Sequence, residues 1–305
     1  MSNKLGTLQR FDGQYFFNGI TSDKGYRMTK LEQYYNKFHE EHRLTTRHGI
    51  VEFTTTMKVI EEAVEILRGT MGTTLVDNGD RLDSYNGDNP LKIADIGAGT
   101  GRYSVELCHR GYDVTAVELV KHNLEILRSK HENIKTWQGD ARNLHFLDDE
   151  TFDITLLFGP LYHLHGKENK LSAISEAKRI TKKGGIILIA YVMDDYSVVQ
   201  YCFREHHWAE ADKKGGLSPL FHTVCTEDDL YDYVRLSDID ELNKAAGLER
   251  IKIIAADGPA DYIRRELNEM SEAEFEAFIQ YHLANCERLE LLGASSHTVD
   301  MVRNC

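Results

Sequence analysis

The segment at residues 92–101, KIADIGAGTG, constrains the fold of this chain more than any other feature. Its first half is short, apolar and β-branched, as in a buried strand, and its second half carries glycines spaced G-x-G-x-G. Apolar positions then recur at helical spacing until Gly111, a residue type that commonly ends helices. The segment therefore predicts a strand, a glycine turn and a helix, an arrangement that favours binding of a nucleotide-like ligand.

A second apolar run at residues 113–119 predicts the next strand of the same unit, and Glu118 lies near its end. In dinucleotide-binding folds an acidic residue about twenty positions after the first glycine accepts the ribose hydroxyls. The dinucleotide fingerprint, however, requires a third glycine where this chain has Arg102. The glycines alone are also compatible with an ordinary strand-to-helix turn. Cofactor binding is thus the first hypothesis, and Arg102 argues against NAD or FAD.

Strands and helices alternate over most of the remaining chain. Short apolar runs predict further strands at residues 134–137, 152–158, 186–192, 248–256 and 297–302. Helical periodicity predicts helices at residues 29–41, 53–67, 122–130, 169–180, 236–246 and 260–292. This alternation predicts an α/β fold with a doubly wound, mostly parallel seven-stranded sheet and helices on both faces.

The N-terminal part of the chain differs from this pattern. Residues 1–50 are interpreted as an extension followed by a helical lid, and the pair His48-Gly49 is expected to separate the lid from the next helix. Residues 1–27 have no clear period and could be a leader, since Met28 would be a natural start. The polar stretch at residues 69–90 predicts a long loop.

The other three regions follow from changes in composition. Residues 51–192 are expected to form the cofactor-binding core. Residues 193–235 are aromatic and polar and follow the carboxyl end of a strand, which predicts an inserted cap over the site. Residues 236–305 are expected to complete the core and to carry a helical insertion at residues 260–292.

The composition is that of a globular protein. Hydrophobic residues make up 41% and charged residues 28% of the 305-residue chain. No apolar stretch is long enough for a bilayer and the N-terminus lacks a signal-peptide core, so we expect a cytoplasmic protein without a membrane partner. The five cysteines are scattered and include no C-x-x-C pair, so they indicate neither a disulfide framework nor a zinc site.

The charge argues against a nucleic-acid substrate. The chain has 49 acidic and 36 basic residues, and its net charge of −13 repels a phosphate backbone. No run of lysine and arginine is long enough to form a local basic groove. We therefore expect a small-molecule substrate, and the sequence predicts no particular oligomeric state.

Several successive motifs resemble those of class I S-adenosylmethionine-dependent methyltransferases. They are DIGAGTG, Glu118 at the end of the second strand, GDARNL after the third, FDITLLFGPLYHL as the fourth with its exit, and KKGGIILIAYV as the fifth. The resemblance covers residues 51–192, and residues 236–256 and 297–302 match the family's last two strands. It implies a Rossmann-like methyltransferase fold, S-adenosylmethionine as cofactor, S-adenosylhomocysteine as product, and methyl transfer by in-line displacement.

The resemblance also implies which residues bind the cofactor. The glycine motif would line the methionine part, Glu118 would bind the ribose hydroxyls, and Leu119 and the turn after the third strand would bind adenine. The implied cofactor-binding residues are Asp95, Gly97, Gly99, Gly101, Glu118, Leu119, Asp140, Ala141, Phe158, Gly159 and Tyr35. Three of them have simpler interpretations, since Asp95 could cap its own turn, Asp140 could begin a helix, and Tyr35 could pack in the core.

Methyl transfer needs a base only if the acceptor is a hydroxyl or an ammonium group. Candidates for that role lie near the predicted strand exits and are Tyr162, His163, His165 and Tyr191. Tyr162 and His163 could simply shape the pocket wall. Three basic residues near the lid could anchor a substrate carboxylate or phosphate, or could be solvated: Arg43, Arg47 and His48.

Two clusters contain metal-ligand side chains. One comprises Glu205, His206, His207 and Glu210 in the predicted cap, and the other is the pair His163 and His165. Neither shows a third convergent ligand, so no metal is predicted.

Three hypotheses about function follow. The first is a methyltransferase that uses S-adenosylmethionine and a small-molecule acceptor. The second is an NAD(P)-dependent oxidoreductase, against which Arg102 argues. The third is a non-catalytic regulatory protein that binds S-adenosylmethionine. Methylation of nucleic acid is a weak branch of the first, because FGPLYHL differs from the Asn/Asp-Pro-Pro-aromatic element of enzymes that methylate exocyclic base nitrogens.

Overall fold

The computed structural model describes residues 29–35, 40–69 and 90–305, together with the backbone of two strands, Leu8–Phe11 and Gln14–Phe17. These two strands pair antiparallel, in a stretch for which the sequence predicts no period. The rest of the predicted extension, and residues 70–89 of the predicted loop, lie outside the described residues.

Seven strands of the described chain form one sheet. They are β1 (Lys92–Ile96), β2 (Asp113–Glu118), β3 (Lys135–Gln138), β4 (Phe152–Leu157), β5 (Thr181–Val192), β6 (Leu248–Ala255) and β7 (His297–Asn304). Their order is β3-β2-β1-β4-β5-β7-β6. β7 runs antiparallel to both of its neighbours, β5 and β6, and the other pairs are parallel. The predicted mostly parallel, seven-stranded α/β sheet is confirmed.

Both faces of the sheet are covered by apolar cores. Successive residues of β5 enter different cores, with Ile187 and Ile189 on one face and Ile186 and Leu188 on the other. Every residue of β4 is buried, which is why its sequence is apolar almost throughout instead of alternating. The carboxyl ends of the parallel strands therefore form the accessible edge of the sheet, where such folds bind ligands.

Ten α-helices surround the sheet in the described chain. They are α1 (Lys30–Tyr35), α2 (Arg47–Leu67), α3 (Arg102–His109), α4 (Lys121–Ser129), α5 (Lys167–Ile180), α6 (Asp194–Ser197), α7 (Trp208–Lys213), α8 (Leu236–Ala246), α9 (Arg264–Glu269) and α10 (Glu272–Asn285). Apolar residues of α2 and α3 belong to one core, and those of α5 and α8 to the other. None of the helices in the described residues has both the length and the apolar character that a membrane span requires.

The helix α2 begins earlier than the sequence suggests. Thr46 caps it by accepting the backbone N–H of Gly49, so the predicted break at His48-Gly49 falls inside its first turn. A Cβ at Gly49 would lie 2.2 Å from the carbonyl oxygen of Arg43. The glycine therefore permits close packing against the preceding turn and does not end a helix.

The predicted helix at residues 260–292 is divided into several pieces. Short 3₁₀ turns occupy Gly258–Asp261 and Leu289–Ala294, and α9 and α10 lie between them. Ser271 and Glu274 form a reciprocal capping box, in which each side chain accepts the backbone N–H of the other residue. This capping box starts α10 afresh, which interrupts the period that the sequence suggested.

The lid and cap segments adopt short helices. Within the predicted helix at residues 29–41, the structure describes α1 and the start of a 3₁₀ helix, Glu40–Thr45, whereas residues 36–39 lie outside the described residues. In the cap region α6 continues into a π-helix at Val198–Arg204, and α7 follows. The Lys30 ammonium pairs with the Asp228 carboxylate, so that α1 contacts the cap.

Candidate functional site

The loop between β1 and α3 brings the glycine motif to the carboxyl edge of the sheet. Gly97 and Ala98 donate their N–H groups to the carbonyl oxygen of Val117, at 2.8 and 3.1 Å. Gly97 has a φ of 84°, and a Cβ there would lie 2.5 Å from the Phe158 carbonyl oxygen and from Pro160 Cδ. The missing side chain thus lets this loop meet the exit of β4, and together they border a cavity.

Two predicted cofactor residues support the glycine loop from behind. Asp95 is buried, and its Oδ2 accepts the Ser104 hydroxyl at 2.5 Å, while its Oδ1 has no partner among the described residues. Burial raises the pKa of Asp95 to about 6 although the Ser104 hydrogen bonds lower it. Gly101 precedes α3 and packs against Leu127. Neither Asp95 nor Gly101 borders the cavity, and these contacts join them to α3 and α4, so their binding of the cofactor stays a prediction.

Glu118, the last residue of β2, is buried at the cavity wall. Its Oε2 accepts the N–H of Gly99 at 2.8 Å and its Oε1 accepts the N–H of Val120 at 2.7 Å. Burial raises the pKa of Glu118 to about 7 although both hydrogen bonds lower it. The carboxylate still has lone pairs with which it can accept hydroxyl groups of a ligand.

The turn after β3 contributes Asp140 and Ala141 to the cavity wall, and Leu119, which follows β2, is also part of the wall. Both carboxylate oxygens of Asp140 accept hydrogen bonds from the Arg142 guanidinium, at 2.7 to 3.2 Å. The pKa of Asp140 is low because these bonds outweigh its burial. Asp140 therefore begins no helix, and Arg142 is a wall residue that the sequence analysis did not identify.

The cavity has a volume of about 510 Å³ and lies between the carboxyl edge of the sheet and the lid segment. Most predicted site residues border it. They are Tyr35, Gly97, Gly99, Glu118, Leu119, Asp140, Ala141, Phe158, Gly159, Tyr162 and His163.

The exit of β4 continues as a 3₁₀ turn, Pro160–His163, which forms the side of the cavity below α1. The hydroxyl of Tyr162 has no hydrogen bond among the described residues, and it would lie 3.5 Å from a Cβ placed on Gly159. Burial raises the pKa of this phenol to well above its ordinary value. Tyr162 is thus a neutral hydroxyl at the cavity, able to contact a ligand but not to act as a base.

Both ring nitrogens of His163 are occupied. Nδ1 lies 2.9 Å from the carbonyl oxygen of Leu230, which can only accept, so Nδ1 carries the proton. Nε2 lies 2.9 Å from the hydroxyl of Tyr35 and accepts a hydrogen bond from it. Burial lowers the pKa of His163 to about 4 despite the bond to Leu230. In this arrangement His163 connects the lid to the cap and has no free nitrogen for an acceptor's proton.

Tyr191 does not border the cavity. Its ring is buried in the apolar core on the face covered by α5 and α8, and its hydroxyl has no partner among the described residues. Near the end of β5 its side chain points to one face of the sheet instead of to the edge. The prediction that Tyr191 faces the cofactor therefore does not agree with the structure.

Two charged residues of the 3₁₀ helix Glu40–Thr45 reach the cavity. Glu40 lies over the glycine loop, since a Cβ at Gly99 would be 3.5 Å from Glu40 Cγ. Arg43 donates from Nε to Glu40 at 3.0 Å and from Nη1 to both oxygens of Glu52, at 3.0 and 2.9 Å. The sequence analysis identified Arg43 as a possible anchor but missed Glu40, because only the fold brings this turn over the glycines.

Of the remaining candidates, His165 borders the cavity, whereas Arg47, His48 and the cap histidines do not. Arg47 donates to the carbonyl oxygens of Leu267 and Met270, at 2.8 and 2.6 Å, which fixes it to the region of α9. His48 Nδ1 lies 3.2 Å from the hydroxyl of Thr46, within hydrogen-bonding distance. In the cap, the exposed His207 pairs with Glu210 at 3.5 Å, as a surface ion pair does.

Residues 94–189 match the sequence model of a family described as a methyltransferase domain. The chain contains a class I methyltransferase domain. The glycine loop, Glu118 and the β4 exit all lie inside the matched range. The family match therefore includes these parts of the cavity wall.

Curated relatives of the methyltransferase domain include two demethylmenaquinone methyltransferases. The protein from Beutenbergia cavernae is 25% identical over 162 residues, which cover 51% of this chain and 61% of that protein. The protein from Streptomyces avermitilis is 34% identical over 145 residues, covering 47% of this chain and 58% of that protein. The chain thus spans less than two thirds of the length of these relatives.

Among solved structures, the chain is similar to an S-adenosylmethionine-dependent methyltransferase from Methanosarcina mazei. The two share 15% sequence identity and superpose with a TM-score of 0.47. The superposition covers 70% of this chain and 92% of the other.

S-adenosylmethionine is the cofactor of this domain class, and the cavity of the methyltransferase domain fits it. The buried carboxylate of Glu118 borders the cavity and keeps lone pairs that can accept the two hydroxyls of a ribose. The buried Oδ1 of Asn123 has no partner among the described residues and belongs to a cavity-wall residue, so it is available to a ligand donor. The predicted family and cofactor are confirmed.

The affinity of the domain for S-adenosylhomocysteine is expected to rise with pH through about 7. Ionised Glu118 is the stronger acceptor for the ribose hydroxyls, and its pKa of about 7 places its protonation in this range. One unit below the pKa only about a tenth of the carboxyl groups are ionised, so affinity should fall about tenfold between pH 8 and pH 6. Isothermal titration measures this, and a Glu118→Gln variant should show no such dependence. A flat profile for the unmodified protein would contradict the assignment of Glu118.

Proposed function

We propose that this protein transfers the methyl group of S-adenosylmethionine to a small-molecule acceptor. The observation that carries the proposal is one cavity bordered on one side by the glycine loop and Glu118, and on the other by the turn Pro160–His163 and α1. One side offers the groups that the cofactor requires. The other side offers aromatic and polar groups that the cofactor does not need, which leaves them for the acceptor.

On the cofactor side, Gly97 and Gly99 present bare backbone to the methionine part, and Glu118 accepts the ribose hydroxyls. Leu119 packs on adenine, with Asp140 and Ala141 at its edge. These roles are supported by the place of all these residues in the cavity wall. Phe158 and Gly159 complete this side at the end of β4.

When bound, S-adenosylmethionine supplies a methyl group already activated by its sulfonium centre. The residues of this chain therefore need to align the acceptor and exclude water more than to perform acid-base chemistry. The hydrogen bond from Tyr35 to His163 and the contact of Lys30 with Asp228 hold α1 across the cavity. The bond from His163 to Leu230 holds the cap segment against the same turn. We propose that α1 and this cap segment together form the lid.

A small molecule is the proposed acceptor for three reasons. The cavity volume of about 510 Å³ lies in the range of sites that enclose small molecules. The net charge of −13 opposes binding of a nucleic-acid backbone. The curated relatives whose names state a substrate, the demethylmenaquinone methyltransferases, act on a small molecule according to those names.

Isothermal titration with S-adenosylmethionine and S-adenosylhomocysteine tests the cofactor half of the proposal. Both should bind, and a screen of metabolites that detects released S-adenosylhomocysteine should then identify an acceptor. Failure of both ligands to bind at millimolar concentration would refute the proposal. Binding without turnover of any acceptor would support the non-catalytic regulatory alternative.

A further inference from the structure

A second histidine, at the start of β7, packs against the cavity-wall residue Tyr162. Asp257 follows β6, and His297 begins the adjacent antiparallel strand, so both lie at the same edge of the sheet. His297 Nδ1 lies 3.0 Å from Asp257 Oδ2. A carboxylate oxygen here can only accept, so Nδ1 carries the proton and Nε2 is the nitrogen that can gain or lose one.

Asp257 is firmly held. It is buried, and its Oδ1 accepts the Ser295 hydroxyl at 2.5 Å and the backbone N–H of His297 at 3.1 Å. These bonds fix the carboxylate and thereby the plane of the imidazole. The arrangement is an aspartate that orients a histidine, as in hydrolase sites where the histidine serves as a base.

The other nitrogen of His297 is open. Nε2 has no hydrogen bond among the described residues, and 21% of the side chain is accessible. The ring packs against Tyr162, with ring centroids 6.1 Å apart, and Tyr162 belongs to the cavity wall. His297 itself is not part of the cavity wall, but its ring contacts the wall residue Tyr162, and its Nε2 is unused within the described residues.

The charges around His297 favour its protonated form. The groups that face it are Glu40, Arg43, Glu52, Tyr162 and Asp257, and His48 and His282 lie within electrostatic range of Asp257. Burial alone would lower the pKa of His297, but the charge of Glu52, 3.9 Å from Nδ1, and the bond to Asp257 raise it. His163, by contrast, has a depressed pKa and no free nitrogen.

We propose that His297, oriented by Asp257, accepts the proton that the methyl acceptor loses, and that His163 does not. This inference rests on the proposed function. In the step, the acceptor's X–H bond breaks and its proton passes to Nε2 of His297. The electron pair of X forms the bond to the methyl carbon, and the pair of the methyl–sulfur bond stays on sulfur. The same balance holds for a carbon, nitrogen or oxygen acceptor.

Nuclear magnetic resonance of the full chain, labelled with ¹⁵N-histidine, tests the tautomers without any acceptor. His297 should carry its proton on Nδ1 when neutral and should titrate above the ordinary range of histidine. His163 should stay neutral from pH 5 to pH 8, also with its proton on Nδ1. A neutral His297 with its proton on Nε2, or a free and titrating His163, would overturn the inference.

The pH dependence of turnover, with an acceptor from the metabolite screen, tests the role in the reaction. The rate should rise with pH through the pKa of His297, because only the unprotonated Nε2 can accept a proton. His297→Asn keeps a donor for Asp257 but removes Nε2, and it should lower kcat about 100-fold or more and abolish this rise. Asp257→Asn removes one of the two carboxylate charges that raise the pKa of His297, the other being Glu52, so the rise should move to lower pH.

His163→Gln is the comparison variant, because it removes the competing candidate. It should alter KM by loosening Tyr35 but should leave the pH of the rise unchanged. A rise that disappears in His163→Gln and persists in His297→Asn would overturn the inference. Titration of each variant with S-adenosylhomocysteine separates the two proposals, because affinity within a few-fold of the parent shows that the cofactor half is intact. Absence of binding in the parent protein would instead refute the proposed function.

Discussion

Replacing Glu118 by alanine is expected to weaken binding of S-adenosylhomocysteine by more than 100-fold. A hydrogen bond to a charged group contributes about 1.5 to 3 kcal/mol, and the ribose offers two hydroxyls to this carboxylate. Loss of both corresponds to roughly 3 to 6 kcal/mol, a factor of 100 or more in the dissociation constant. The variant also leaves the N–H groups of Gly99 and Val120 without their acceptor, which loosens the loop against the cofactor. Isothermal titration measures the change directly.

The matched control for this experiment is Glu125→Ala. Glu125 is exposed on α4, seven positions further along the chain, and its ion pair with Lys121 spans 3.6 Å at the surface. Its removal should change the affinity by less than twofold, since exposed pairs contribute little. Affinity of the Glu118→Ala variant within tenfold of the parent would show that Glu118 does not bind the ribose.

Replacing Gly97 by alanine is expected to lower the free energy of unfolding by roughly 2 to 5 kcal/mol. Its φ of 84° costs a side-chain-bearing residue about 1 to 2 kcal/mol. In addition, the new Cβ would lie 2.5 Å from the Phe158 carbonyl oxygen and from the Pro160 ring. Neither neighbour can rotate away, so overpacking adds about 1 to 3 kcal/mol. Urea denaturation of the full chain measures the sum.

Gly111→Ala separates the two contributions. Gly111 has a similar φ of 89°, but no atom lies within 4 Å of a Cβ placed there. The free energy of unfolding of the Gly111→Ala variant should therefore fall only by the torsional contribution, about 1 to 2 kcal/mol. Equal losses in the two variants would mean that the contact between the glycine loop and the β4 exit is not tight.

The sequence could predict that the residues proposed to bind the cofactor line one cavity, because they lie on neighbouring parts of the chain. The glycines, Glu118 and the turn at Asp140 follow the ends of successive strands, and parallel strands bring those ends to one edge. The placement of Asp95 and Gly101 outside the cavity wall could not be predicted, since motif spacing does not tell which side chains of a tight turn face the ligand. The face of the sheet to which the Tyr191 side chain points depends on the strand register, which motif spacing does not reveal either.

The acceptor side could not be predicted because its parts are far apart in the sequence. Glu52, Asp257 and His297 belong to α2, the end of β6 and the start of β7, and no spacing rule connects them. His163 was found from its position after β4, but its proton arrangement depends on Leu230 in the cap and Tyr35 in α1. Which histidine has a free nitrogen is therefore a property of the folded chain.

The position of β7 also affects the order in which the protein can be completed during synthesis. β7 follows every other strand of the sheet in the chain, yet it lies between β5 and β6, and β6 has no other strand partner among the described residues. A nascent chain that has emerged as far as β5 already holds the strands β1 to β4 and the glycine loop. It can shape the pocket for the adenosyl group before His297 leaves the ribosome. Until residues 297–304 insert, β6 stays unpaired, and the wall proposed to take the acceptor's proton does not exist.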